Sequence, residues 1–174
     1  MGVRLMPLTL AHLCAHALEL ERRAAARYDE YAHLLRAWGA NLVADAFEEL
    51  GKLQQQELRA LEAGAREQNR SDPTLWEHAW QLALSPEALE ATQPFVPRNV
   101  RHALQVVVAV ERRAESYYAD VAGNARVAVV RDCAAEMSEH KRKRLELLEY
   151  MLACEHRTRW VYTPSQAAEA LDVR

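Results

Sequence analysis

An internal repeat of one helical hairpin restricts the folds available to this chain more than any other feature of its sequence. Residues 21–32 read ERRAAARYDEYA, and residues 111–122 read ERRAESYYADVA, with Glu, Arg, Arg, Ala, Tyr and Ala at matching positions. A second match, offset by 87 residues, pairs Leu58 with Leu145. Because the first match is offset by ninety residues, nearly the same distance, both matches belong to one duplicated unit. The sequence therefore predicts two copies of one hairpin.

Apolar residues recur at helical spacing along most of the chain, which predicts an all-α fold. The predicted helices span about residues 9–38, 40–63, 99–122 and 125–156. Thr9 is the predicted N-cap of the first helix, and Gly39 and Gly64 are the predicted stops of the first and second helices. The 174 residues contain only five Gly and six Pro, as expected for long helices, and we expect them to form one domain, residues 1–174.

The lengths of the connections predict how these helices are arranged. Very short turns join the first helix to the second and the third to the fourth, so the helices of each pair must be antiparallel neighbours. Residues 64–98 form a long crossover between the two hairpins, and residues 164–172 are predicted to form a short C-terminal helix. The expected architecture is a four-helix bundle with one long crossover.

Two glutamates occupy matching places in the apolar stripes of the first and third helices. Glu21 and Glu111 are repeat partners, and each has apolar residues one helical turn before and after it. An unpaired carboxylate is costly to bury, so its repetition favours a shared polar site at the centre of the bundle. The alternative is that each Glu leans to the edge of its stripe and pairs with an adjacent Arg, Arg22 or Arg112.

These residues resemble the rubrerythrin branch of the ferritin-like superfamily, whose first and third helices carry the pattern A-x-x-x-E-x-x-A-x-x-x-Y. The pattern is matched by Ala17, Glu21, Ala24 and Tyr28 and, with Val107 in place of the leading Ala, by Glu111, Ala114 and Tyr118. The family's second and fourth helices carry F-x-x-(I/L)-A-x-x-E-x-x-H, and Phe47, Leu50 and Gly51 match its beginning. The resemblance implies a ferritin-like bundle, a di-iron site and a homodimer.

The iron ligands of that family are largely replaced in this sequence. Gln54 stands at the Glu position of the second helix and Glu57 at the His position, and the repeat places Lys141 and Arg144 at the corresponding positions of the fourth helix. An iron pair needs about six protein ligands, mostly carboxylate and imidazole, and inward cations oppose its charge. We therefore predict a metal-poor bundle with a binding or assembly role. Its central network comprises Glu21, Gln54, Glu57, Glu111, Lys141 and Arg144.

The first interpretation implies no cofactor. A second interpretation retains a metal site, and the expected cofactor is then iron. Glu21, Glu57 and Glu111 then hold iron or another divalent ion, and His140 is a further candidate ligand if the register of the fourth helix is shifted. The resemblance would then imply a di-iron oxidoreductase that handles peroxide, oxygen or iron. In the register that the repeat favours, His140 instead flanks the site or is exposed. The sequence has no CxxC pair, so a redox partner would have to be separate.

Composition favours a soluble protein of a reducing cytoplasm. A formal net charge of −3 gives no reason to expect nucleic-acid binding, and no apolar run approaches the roughly 20 residues that a membrane span needs. Cys14, Cys133 and Cys154 are widely spaced and odd in number, which indicates neither a disulfide framework nor a zinc site. We expect self-association, to which the residues after 156 can contribute.

Overall fold

A computed structural model describes residues 7, 9–71 and 97–155 of the chain. The regular structure within these residues consists of four α-helices and no strand. They are α1 (Leu10–Ala37), α2 (Asn41–Ser71), α3 (Val100–Asn124) and α4 (Ala128–Glu155). None of these described helices combines the length and the apolar character that crossing a membrane would require.

Short turns and side-chain caps define the two antiparallel hairpins, α1 with α2 and α3 with α4. Gly39 ends α1 with a φ of 75°, a left-handed conformation that a residue without a Cβ adopts at little cost. The predicted N-cap Thr9 is confirmed, since its Oγ1 accepts a hydrogen bond of 3.2 Å from the backbone N–H of His12. Asn99 caps α3 in the same way through the backbone N–H of His102, at 2.9 Å.

The second helix is longer than predicted, and this corrects the expected start of the crossover. Gly64 was the predicted stop, but α2 continues through it to Ser71. A helical Gly costs about 1 kcal/mol relative to Ala, and the Ala-, Arg- and Glu-rich residues around Gly64 outweigh that cost. The other helices begin and end within three residues of the prediction. Residues 72–96 of the crossover and the predicted C-terminal helix at 164–172 lie outside the described residues.

The two largest apolar clusters of the described residues lie one on each side of the middle of the bundle. The first lies toward the α1–α2 turn and includes Tyr31, Leu35, Phe47, Leu50, Leu104 and Leu148. The second lies toward the α3–α4 turn and includes Leu13, Ala17, Tyr118, Val121, Val130 and Ala134. Fully burying a Leu or Phe side chain contributes about 1.5–3 kcal/mol, so these clusters supply the main driving force for folding. A group of buried polar side chains lies between the two clusters.

A buried ion-pair network at the centre of the bundle

Five polar side chains are almost completely buried where the four helices meet. They are Glu21, Gln54, Glu111, Lys141 and Arg144, each no more than 3% exposed. Every helix contributes to the group: α1 and α3 each supply a Glu, α2 supplies the Gln, and α4 supplies both cations one helical turn apart. The inward direction of these side chains follows from the apolar residues that precede and follow each of them on the same helical face.

Lys141 is the hub of this group. Its Nζ lies 2.5 Å from Oε2 of Glu21, 3.2 Å from Oε2 of Glu111 and 3.4 Å from Oε1 of Gln54. The contact with Glu111 is an ion pair without the angles of a good hydrogen bond. An ammonium group carries three donors and one positive charge, so Lys141 can pair with two carboxylates from different hairpins at once.

Arg144 extends the network toward the edge of the bundle. Its guanidinium Nη2 lies 2.6 Å from Oε2 of Glu57, and its Nη1 lies 3.7 Å from Oε2 of Glu111. Nη1 also donates a hydrogen bond to Oε1 of Gln54. The Glu57 side chain is 29% exposed, so the network reaches solvent through this residue. Arg144 thereby joins a buried carboxylate of α3 to a partly exposed one of α2.

Gln54 connects the acidic and basic halves of the network with the two ends of one amide. Its Nε2 donates to Oε2 of Glu21, while its Oε1 accepts from both Lys141 and Arg144. A carboxylate at this position would repel Glu21 and could not donate to it. The neutral amide therefore suits a site in which both cations come from α4.

Two tyrosines complete the network by hydrogen bonds that cross between the hairpins. The Tyr28 hydroxyl of α1 donates to Oε1 of Glu111 in α3, at 3.0 Å. Its repeat partner Tyr118 of α3 donates to Oε1 of Glu21 in α1, at 2.9 Å. The predicted network omitted both tyrosines, although each follows its helix's Glu by seven residues, two helical turns on the same face. The four residues thus form a reciprocal pair of contacts around a pseudo-twofold axis.

Burial and charge shift the pKa values of Glu111 and Arg144 toward their charged forms, and those of Tyr28 and Tyr118 toward their neutral forms. Burial opposes the charged form of Glu111, but the positive charges of Lys141 and Arg144 outweigh it and hold the pKa of Glu111 below its ordinary value. Burial alone would lower the pKa of Arg144, yet Glu111 and Glu57 raise it. Burial, reinforced by the adjacent carboxylates, raises the pKa values of Tyr28 and Tyr118 well above 10, so both hydroxyls remain donors.

The arginines beside the two buried glutamates pair elsewhere. Arg22 contacts Glu62 of α2 at 3.3 Å, and Arg112 contacts Glu149 of α4 at 2.5 Å. Both arginines and both of these partners are repeat equivalents, so the two hairpins carry the same surface ion pair. The alternative in which Glu21 and Glu111 lean outward to Arg22 and Arg112 is therefore wrong, because both glutamates are 1% exposed and directed to the core.

The side chains present do not fit the di-iron centre that the rubrerythrin resemblance implies. Two cationic side chains, Lys141 and Arg144, contact the carboxylates that such a centre would use. No group of three or more His, Cys, Asp and Glu side chains in the described residues is arranged to hold a metal ion. His140 is 55% exposed, and its Nδ1 lies 3.6 Å from Oε1 of Glu57 at the edge of the network. The structure thus brings together the six predicted network residues and places His140 outside them.

Comparisons with known proteins bear on the fold. No protein-family model matches the chain, and no curated protein matches it. The chain is similar to the solved structure of an uncharacterized conserved protein from Magnetospirillum magnetotacticum MS-1, with a TM-score of 0.66 and 22% sequence identity. The match covers 89% of this chain and 99% of that protein. The fold is ferritin-like. The predicted all-α, ferritin-like four-helix bundle is therefore confirmed.

Proposed function

We propose that this chain is a ferritin-like protein of the rubrerythrin kind in which an ion-pair network takes the place of the di-iron centre. It then acts by binding or self-association and not by oxidation chemistry. The observation that carries this proposal is the position of the Lys141 ammonium, 2.5 Å from Glu21 and 3.2 Å from Glu111. A metal ion shared by these two carboxylates would need the space that the ammonium fills.

The arrangement of donors and acceptors supports the same proposal. A catalytic metal centre keeps an open position for its substrate and leaves carboxylate oxygens free for the metal. In this network both oxygens of Glu21 accept hydrogen bonds, from Tyr118 on one side and from Gln54 and Lys141 on the other. Glu21 is thus already engaged by groups that α2, α3 and α4 hold in place.

Elemental analysis tests the proposal directly. The protein is purified without chelator and analysed before and after anaerobic addition of ferrous iron, with an absorption spectrum recorded in parallel. We expect no stoichiometric metal and no oxo-bridge absorption under either condition. About two irons per chain with such absorption would overturn the proposal and favour the iron-binding oxidoreductase instead.

A pair of glutamate substitutions in α2 separates a structural carboxylate from a metal ligand. Glu57→Ala removes the 2.6 Å partner of the buried Arg144, so we expect a lower free energy of unfolding and an unchanged metal content. The control is Glu62→Ala, whose partner Arg22 has a side chain 48% exposed, so its loss should have little effect on stability. A Glu57→Ala protein that lost metal yet kept its stability would contradict the proposal.

Self-association is the assembly role that the rubrerythrin resemblance supports. We expect the full chain to form a homodimer at micromolar concentration, as measured by size-exclusion chromatography with light scattering. A monomeric mass across that concentration range would leave ligand binding as the remaining role.

A further inference from the structure

A cleft of about 480 Å³ opens beside the network, between α1, α2 and α4. This volume lies within the range of about 300–1,000 Å³ that is typical of small-molecule sites. Its walls are mainly apolar and include Leu10, Leu61, Val129, Met137 and the thiols Cys14 and Cys133. At its inner side the cleft reaches Glu21, Glu57 and Lys141. An apolar pocket with a few polar groups is the usual form of a ligand site.

The charges along the outer edge of this cleft differ from those at the equivalent edge of the other hairpin. Asp132 and Glu136 of α4 line the cleft one helical turn apart, are exposed, and form no ion pair with any described residue. Their repeat equivalents in α2 are Asp45 and Glu49, and neither lines the cleft. Both of those carboxylates are paired, Asp45 with Arg36 at 2.8 Å and Glu49 with Lys52 at 2.5 Å.

The inner polar groups add no net charge that would attract an anion. Lys141 lies 2.5 Å from Glu21 and Arg144 lies 2.6 Å from Glu57, and both cations also pair with Glu111, so two cations meet three carboxylates. Among the carboxylates that line the cleft, Asp132 and Glu136 at its edge are the two without a cationic partner in the described residues. A ligand complementary to this cleft has an apolar body for the walls and a cationic group for the two carboxylates.

We infer that the cleft binds a small amphipathic cation, such as a protonated long-chain amine. The ammonium group pairs with Asp132 and Glu136, and the alkyl chain lies against Leu61 and Met137. This inference deepens the proposed binding role and rests on it, but its test measures ligand affinity and not metal content. Either one can therefore fail without the other.

Isothermal titration calorimetry of the full-length protein with three ligands of equal chain length tests the chemistry of the ligand. The ligands are decylamine, decanol and decanoate, each kept below the concentration at which it forms micelles. We expect saturable binding of decylamine, with decanol about tenfold weaker or more and decanoate weaker still. Equal affinity for decanoate, or no saturable binding of decylamine, would overturn the inference.

Matched double substitutions locate the cation. Asp132→Asn with Glu136→Gln should weaken decylamine binding by about tenfold. Asp45→Asn with Glu49→Gln changes the net charge of the protein equally at the equivalent edge of the other hairpin and should leave the affinity unchanged. An equal loss in both proteins would mean that decylamine responds to overall charge and not to this cleft.

Two glycine substitutions locate the apolar body. A Cβ added at Gly64 meets no atom within 4 Å, and Gly64 lines the cleft, so the side chain of Gly64→Leu should occupy the cleft and abolish binding. Gly123 is also helical and equally open, but it does not line the cleft, so Gly123→Leu should bind decylamine normally. Circular dichroism verifies that both variants are folded. Undiminished binding by folded Gly64→Leu would place the ligand elsewhere and refute the inference.

Discussion

Replacement of Lys141 by methionine is the most direct test of the network, because it removes the hub without changing the length of the side chain much. Glu21 then loses its cationic partner at 2.5 Å, its only one among the described residues. Glu111 loses a partner at 3.2 Å but keeps Arg144 at 3.7 Å. Removing one partner of a buried ion pair typically costs about 3–5 kcal/mol. We expect Lys141→Met to lower the free energy of unfolding by about that amount at pH 7.

Urea unfolding followed by circular dichroism measures this loss, with the slope of the transition used to check that the folded state is unchanged. Lys143→Met is the control, since Lys143 lies two residues away on α4 and its side chain is 51% exposed. That control should leave stability almost unchanged. Adding Glu21→Gln to Lys141→Met should recover a large part of the loss, because the unpaired carboxylate is then gone.

Acid should reduce the difference in the free energy of unfolding between the wild-type and Lys141→Met proteins. The pKa of Glu111 is lowered in the folded protein, so its contribution to stability is present above about pH 4.3 and is lost as the pH falls through the folded value. Lys141 is one cause of that lowered pKa, so the variant lacks part of this contribution. A loss below about 1 kcal/mol at pH 7, or one that grows in acid, would refute the reasoning.

Four further outcomes follow from the same structure. Tyr28→Phe and Tyr118→Phe should each lower the free energy of unfolding in urea by about 1.5–3 kcal/mol, because each removes a buried hydrogen bond to a carboxylate. The control is Tyr117→Phe, whose hydroxyl has no described hydrogen bond and whose effect should be much smaller. Ultraviolet titration should show Tyr28 and Tyr118 ionising only on alkaline unfolding, because their raised pKa values stabilise the fold below about pH 10 and that stability is lost as the pH rises further; ionisation in the folded state would contradict this. The free energy of unfolding of the wild-type protein should also fall in acid, as Glu111 is protonated. Acid unfolding without proton uptake would contradict this prediction. Native alkylation at pH 8 should spare Cys14, since burial and Cys133 raise its pKa to about 11, and prompt labelling without urea would refute that.

The fold and six members of the network were predictable from helical periodicity and the repeat, which are properties of the sequence alone, whereas the two tyrosines were missed. An offset of 87 residues maps Gln54 onto Lys141 and Glu57 onto Arg144, so the inward positions of α4 follow from those of α2. The end of α2 was predicted wrongly. Gly64 was interpreted as a helix stop, but the helix propensity of the surrounding residues outweighs the cost of one glycine inside a helix. The cleft could not be predicted, since it depends on how closely α1, α2 and α4 approach one another.

The sequence by itself determined that two equivalent hairpins direct Glu21 and Glu111, expensive residues to bury, into a common interior. Only the tertiary structure decided which side chains form hydrogen bonds and ion pairs with these two carboxylates. The hydroxyl of Tyr28 donates to Glu111, which lies 83 positions later in the sequence, and the hydroxyl of Tyr118 donates to Glu21, which lies 97 positions earlier. Both hydrogen bonds join one hairpin to the other. The physical reason is that a helix fixes the direction of a side chain, while its partner depends on the distance and rotation between hairpins. Lys141 holds these contacts together because it lies where the two hairpins meet.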